Sequence, residues 1–534
     1  MSEHVETAPA VTQATKERAL HVARLVLAWL AENAYDLVIA SSLAALTALI
    51  VVLDLEGIGT GGDAIRKWDF VREWFYSNSF RHVPWDHHMA RFGVHWLTYL
   101  VQRFFGRGPA MYYVPGLITV SLETACVYAC GKRLGGRLAG VLGAFLLIYF
   151  KGTVRSGSQL MPEVFSATYA MVALYLYLRY YDAVGRRRTA WLVAMSVVLF
   201  AGYLAKETTV FFYPGFIVAV WLAGGKRYRD VGILLGIIAL GGLLETLCYR
   251  TFTGYANRMA VIVVNHKPED PKGPRNFMEL FNRFPRLDEP WKVTFYSFLP
   301  IGIAVATFAK NARVWAVYVI TAGYLFFLTF MVRQWNPFAV WQSFRVRYFD
   351  VTAPFIELLV GLFLAMILRE LLGRFTDRPR VKRITGSPRW AAVTVLVLVG
   401  VAGWVSYSAA APGLEDHVLR YNAQISAVAT DAYVRNLPIV STRDPRATWV
   451  VYAVLIDDKL LARDGKLPPF DDVKIEDGGR WWLVKDPSRY DVEKLHRLQR
   501  ARCVVEVTVN APGPISNVRP MKRLPAACDR IAEE

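Results

Sequence analysis

The sequence predicts an α-helical polytopic membrane protein of about eleven transmembrane helices, followed by a small C-terminal α/β domain. Three observations predict it. The 534 residues are 54% hydrophobic with mean hydropathy +0.27, more than a soluble core requires. The apolar residues fall into repeated runs that approach the roughly 20 residues of a bilayer crossing. Short basic connectors recur after every second run: Lys132, Arg133 and Arg137; Arg186 to Arg188; Lys226, Arg227 and Arg229; Lys310 and Arg313; and the stretch from Arg369 to Arg389. The positive-inside bias places all of these in the cytoplasm, with the N-terminus, and the intervening connectors and the C-terminus on the opposite side of the membrane. That topology accounts for a net charge of +18 without nucleic acid as a partner.

In order, the expected spans are Leu37 to Leu53, Ala110 to Cys130, Leu138 to Phe150, Val164 to Leu178, Ala190 to Ala205, Val210 to Ala223, Val231 to Cys248, Val293 to Ala309, Val314 to Val332, Phe349 to Leu368 and Ala391 to Ala410. Leu20 to Leu30, with Arg24 on an apolar turn, reads as an interfacial helix before the first span. Pro115-Gly116 and Pro214-Gly215 lie inside spans and read as kinks. Residues 1–411 read as the membrane domain, with outward loops at 54–109, 250–292 and 334–347. The first loop has helical apolar spacing around Trp68, Val71, Trp74 and Phe75. The second, rich in Pro, Asn and charge, reads as a mobile flap. Residues 412–534 read as the α/β domain, with strands at Pro438 to Val440, Val473 to Ile475, Trp481 to Val484 and Val504 to Val509. Cys503 and Cys528 fall on the oxidising side and are expected to form a disulfide.

The candidate functional residues all belong to the outward connectors. Asp63 follows Gly61-Gly62 and opens a helical run, where it serves as a base or an N-cap. Asp86, His87, His88 and Arg91 crowd one turn. Glu163 opens the fourth span, Lys206 and Glu207 interrupt two spans, and Arg347 and Tyr348 precede the tenth. Ionisable groups at membrane depth are costly and face a cavity or pair with each other; a tight Lys206–Glu207 pair is the simple structural alternative. The inventory of carboxylates and cations suits a reaction with an anionic leaving group. Nucleotide sugars are confined to the cytoplasm, so a sugar transferase on this side takes a polyprenyl-phosphate sugar. A transporter or flippase of a polyprenyl-linked or anionic envelope substrate is the alternative, although charge gathered at the outward mouths rather than at the midplane favours catalysis.

The order of these motifs resembles the GT-C superfamily of membrane glycosyltransferases, in particular enzymes similar to protein mannosyltransferases and lipid A aminoarabinose or galacturonic acid transferases. Asp63 stands early in the first outward loop. Asp86-His87-His88, Arg91-Phe92-Gly93 and Phe105-Gly106 follow, then Pro162-Glu163, the intramembrane Lys206, and Arg347-Tyr348. The resemblance implies a GT-C-like fold, a polyprenyl-phosphate sugar donor and a lipid, glycan or protein acceptor. It makes Asp63 the base or acceptor-orienting carboxylate, with Asp86 and Glu163 as further catalytic acids. Arg91, Lys206 and Arg347 become phosphate ligands, with His87, His88, Glu207 and Tyr348 as substrate contacts. No cofactor is firmly implied; the acid-x-acid pattern of Asp54 and Glu56 is the metal candidate. Ala64 stands where many relatives carry a second acid, and His82-Val83-Pro84 replaces the Lys-Pro-Pro of the aminoarabinose enzymes, which speaks against that sugar.

Overall fold

The longest apolar stretch folds back on itself at a glycine. The computed structural model describes residues 8–55, 88–106, 109–223, 228–265, 300–307, 311–335, 338–340, 348–375 and 395–405, with Ala64, Lys67, Trp68, Phe70, Val71, Gly225, Phe298, Val393, Ser408 and residues 439–440 and 505–506. Its helices are α1 (Ala8–Leu53), α2 (Phe92–Phe105), α3 (Pro109–Ile148), α4 (Lys151–Gly157), α5 (Pro162–Asp182) and α6 (Gly185–Ala205). A 3-10 turn (Glu207–Phe212) leads to α7 (Tyr213–Ala223), α8 (Tyr228–Phe252), α9 (Arg258–Asn265), α10 (Ala312–Phe330) and α11 (Ala353–Phe375). Among the described residues, six helices are long and apolar enough to cross a membrane.

Within α3, Gly136 takes φ 80°, a left-handed value suited to glycine, and breaks the helix into two limbs. The limbs pack at backbone distance: a Cβ on Gly131 would lie 2.5 Å from Cα of Gly140, and one on Gly140 2.4 Å from the Tyr128 carbonyl oxygen. Small residues make this approach possible, and tight packing rather than the hydrophobic effect holds apolar helices together in lipid. The expected spans Ala110 to Cys130 and Leu138 to Phe150 are these two limbs. Gly361 of α11 repeats the device, with a Cβ there falling 2.4 Å from the Gly143 amide nitrogen.

Ion pairs ring the bend. Asp36 accepts from Lys132 Nζ at 2.7 Å, Arg137 Nε at 2.8 Å and the Tyr128 hydroxyl at 2.7 Å. Asp182 meets Arg133 at 2.9 Å and Arg313 at 2.6 Å. Asp230 accepts from Tyr180 at 2.7 Å and lies 3.4 Å from Arg188. Three of the basic connectors, at Lys132 to Arg137, Arg188 and Arg313, thus meet carboxylates at one end of the bundle, where Arg369 also donates to the Gly135 carbonyl. Glu163, at the other end of α5, lies about 28 Å from Asp182 at 1.5 Å per residue, close to the hydrocarbon thickness of a bilayer. One charged layer sits at each end of α5.

Several expectations change. Residues 20–30 continue directly into α1, a helix of 46 residues, and form no separate interfacial helix. Pro214 lies in the first turn of α7, where a missing N–H costs nothing, so the chain turns before it rather than kinking at it. The stretch expected as a flap begins as ordered helix: α8 runs to Phe252 and α9 follows at Arg258. The third loop opens with an antiparallel hairpin of β1 (Val332–Trp335) and β2 (Phe338–Val340). In the C-terminal region, β3 (Ile439–Val440) and β4 (Val505–Glu506) pair in parallel within two of the expected strands; Cys503, Cys528 and the rest of that region lie outside the described residues.

Candidate active site

At the end of α6 the backbone changes from helical to extended at Lys206 (φ −152°, ψ 134°) and then winds into the 3-10 turn. The Lys206 amide still donates to the Gly202 carbonyl at 2.9 Å. Thr209 ties the turn back, its hydroxyl donating to the same carbonyl at 2.8 Å and meeting Ser166 Oγ at 2.6 Å. The break sends two consecutive charges to different partners. Lys206 Nζ reaches Glu163 Oε1 at 2.6 Å, with both side chains 2% exposed, and lies 4.2 Å from the centroid of the Tyr348 ring. Glu163 occupies the first turn of α5 behind Pro162, where the helix dipole favours an anion.

Glu207 turns the other way, between two guanidinium groups. Arg91 Nη2 is 3.6 Å from its Oε1 and Arg258 Nη2 is 3.6 Å from its Oε2. The simple Lys206–Glu207 pair is therefore replaced by two longer-range pairings. Arg91 directly precedes α2, which is pressed on α6 so closely that a Cβ on Gly93 would lie 2.3 Å from the Ala205 amide nitrogen. Tyr169 fixes the same corner by donating to the Gly93 carbonyl at 3.0 Å and accepting from Trp96 Nε1 at 2.5 Å. Arg258, fully buried, opens α9, donates to the Tyr203 carbonyl and stacks 4.4 Å from the Tyr203 ring. Arg258 was hidden in the stretch read as a flap, where no local pattern marks it.

His88 and His95 complete the wall. His95 Nε2 lies 3.1 Å from the His88 carbonyl oxygen. Burial, reinforced by the charge of Lys67, pushes the His95 imidazole down from 6.5 to about 3. The folded state therefore holds it neutral while the unfolded chain takes up a proton below pH 6.5. We predict that its contribution to stability is complete above pH 6.5 and is lost progressively toward pH 3. Thermal unfolding of His95→Gln against wild type, between pH 5 and 8, should show wild type losing more stability on acidification.

Ala64 and Trp68 of the first loop are fully buried, in one apolar cluster with Val164 and Ala205, which flank Glu163 and Lys206 in sequence. The expected residues Asp63, Asp86, His87, Arg347 and Glu56 lie outside the described residues. Asp54 ends α1, its amide donating to the Ile50 carbonyl at 3.1 Å. Among the described residues no three His, Cys, Asp or Glu side chains gather as a metal site. The geometry unites Glu163, Lys206, Glu207, Arg91, Arg258 and Tyr348 at the same end of the bundle. Chemically, it can hold an anion beside a neutralised lysine.

Residues 89–246 match the family model described as dolichyl-phosphate-mannose-protein mannosyltransferase, a segment that takes in Arg91, Glu163, Lys206 and Glu207. The fold is similar to that of ArnT from Cupriavidus metallidurans, solved bound to undecaprenyl phosphate, with a TM-score of 0.55 and 12% identity over 78% of this chain and 84% of that one. AglB from Archaeoglobus fulgidus, solved with an inhibitory peptide and a dolichol-phosphate, gives a TM-score of 0.48 and 11% identity over 80% of this chain and 64% of that one. No curated protein matches the chain in sequence. The resemblance to the GT-C glycosyltransferases read from the motifs is borne out by the matched family model and the shared fold.

Proposed function

We propose that this integral membrane protein, built on the GT-C fold, transfers a sugar from a polyprenyl-phosphate donor to a lipid, glycan or protein acceptor at the periplasmic face of the inner membrane. The observation that carries the reading is the buried cluster in which Arg91, Lys206 and Arg258 gather around Glu163 and Glu207, with Arg91 Nε, Arg258 Nε and Arg258 Nη2 lacking an acceptor among the described residues. Buried guanidinium N–H groups that lack an acceptor suit an incoming oxyanion. The similarity to a fold solved with undecaprenyl phosphate supports a prenyl phosphate as that anion.

In this reaction the acceptor oxygen forms a bond to the anomeric carbon as the bond from that carbon to the phosphate oxygen breaks. The electron pair of the broken bond stays on the phosphate, and the acceptor proton passes to the carboxylate of Asp63. Arg91, Lys206 and Arg347 hold the phosphate while charge builds on it. Glu163 holds Lys206 in place, and Asp86, His87, His88 and Tyr348 contact sugar and acceptor. Asp63→Asn should preserve folding and prenyl-phosphate binding while lowering kcat by about 100-fold or more, the range of general-base catalysis. Undiminished transfer by a folded Asp63→Asn protein removes that residue from the chemistry.

A further inference from the structure

We propose that Glu123 is a positioning residue: a neutral carboxylic acid inside the bundle whose O–H donates to the Thr168 hydroxyl and so holds α5, with Glu163 at its tip, against α3. The positioning role rests on the transferase reading above; the protonation state does not.

Glu123 is the one acid or base between Ala110 and Cys130, in a run otherwise suited to cross a membrane. An ionisable group at that depth is costly and calls for a role. The hydrogen bonds around Thr168 supply one. Its hydroxyl oxygen lies 2.8 Å from the Val164 carbonyl oxygen, 3.0 Å from Glu123 Oε2 and 3.3 Å from the Thr119 carbonyl oxygen. A hydroxyl brings one proton and two lone pairs, while a carbonyl or an ionised carboxylate only accepts. An ionised Glu123 would have a share of that single proton as its whole compensation. A protonated Glu123 instead donates to a lone pair of Thr168, which passes its own proton to Val164, and each group then has a partner of the opposite kind.

The surroundings decide between the two states. Glu123 is 2% exposed and lies about 20 Å along α3 from the bend at Gly136, inside the apolar depth of the bundle. Among the described residues, the one charged group that acts on it is Asp350, a second acid. Glu163 and Glu207, by contrast, face Lys206, Arg91 and Arg258. A buried charge with no cation beside it costs far more than a neutral acid, so the protonated form is the one this site holds. An acid kept neutral by apolar surroundings serves as a hydrogen-bond donor.

Thr168 sits in the second turn of α5, and the first turn carries Glu163. The same stretch is tied on two other sides, through Ser166 to Thr209 at 2.6 Å and through Tyr169 to the Gly93 carbonyl at 3.0 Å. Those ties reach the 3-10 turn that follows Lys206 and the helix that follows Arg91. Glu123 supplies the third, to α3, and its neighbour Thr124 joins α3 to α1 through Thr47 at 3.0 Å. Fixed from three directions, the tip of α5 holds Glu163 where it meets Lys206 at 2.6 Å. Glu123 acts through Thr168 and touches no substrate.

The test uses the full chain in nanodiscs. The infrared spectrum of wild type minus that of Glu123→Gln, at neutral pH, should show the carbonyl band of a carboxylic acid, which ionised carboxylates lack, and Thr168→Val should shift that band. Glu123→Gln, whose amide N–H still donates to Thr168, should keep kcat and KM for a synthetic polyprenyl-phosphate sugar within about twofold. Glu123→Leu and Thr168→Val should each lose about tenfold in kcat with KM nearly unchanged, and Thr168→Ser should recover the loss. Thr168→Val, close in shape to the native residue, carries the test if Glu123→Leu does not fold. Carboxylate bands in place of the acid band overturn the proposal at any activity. An acid band with wild-type kcat in folded Thr168→Val overturns the positioning role. An acid band in a wild-type protein that transfers no sugar sinks the transferase reading and leaves the neutral acid standing.

Discussion

Lys206→Met is expected to abolish sugar transfer and to destabilise the protein, because it leaves the Glu163 carboxylate buried opposite an apolar side chain. Both partners are 2% exposed at 2.6 Å, so the single variant falls in the class of broken buried ion pairs, which costs about 3–5 kcal/mol. Replacing both, as Lys206→Met/Glu163→Leu, removes the uncompensated charge and should recover most of the thermal stability, since apolar pairs substitute well for buried salt bridges. Activity should not return with it. That separation, read by a thermal melt and a transfer assay on the same two proteins, distinguishes a lysine that works on substrate from one that only packs. Recovery of transfer in the double variant would make the pair structural.

Gly93→Val should cost about 100-fold in kcat while the bundle stays folded. The Cβ would arrive 2.3 Å from the Ala205 amide nitrogen and 2.6 Å from the Ala201 carbonyl oxygen, backbone atoms of a helix that cannot swing aside. α2 must instead move outward, and Arg91, two residues before Gly93, moves with it. A displacement near 1 Å at a positioning residue is enough for a loss of that size. Transfer kinetics beside a melt check it: an unchanged kcat would mean that α2 does not set the geometry of the site.

These expectations rest on pairings that the sequence only partly discloses. Apolar runs and basic connectors are local signals, and they place α3, α5, α6, α8, α10 and α11 within a few residues. Where the backbone departs from regular helix, the signal weakens. Val210 to Ala223 reads as one span, yet its first turn is 3-10, because Thr209 holds the chain to Gly202 through contacts that no periodicity encodes. The site shows the same limit. Glu163 and Lys206 are legible as ionisable residues at membrane depth, but their partnership joins positions 43 apart in sequence. Glu207 looks like the natural mate of Lys206 until the extended backbone at Lys206 points the two side chains apart. Arg258 is one charge among many in a Pro- and Asn-rich stretch, and its importance comes from complete burial, a property of the folded chain alone.

Cleavage of a sugar–phosphate bond is the event that separates a transferase from a carrier. Purified protein reconstituted in proteoliposomes with a synthetic polyprenyl-phosphate sugar tests it most directly, by following release of free polyprenyl phosphate and transfer of the sugar to added envelope lipids or glycans. Release and transfer together, lost in Lys206→Met and Asp63→Asn, are the predicted result. Movement of the intact donor across the bilayer with no cleavage would contradict it and make the protein a carrier of that lipid.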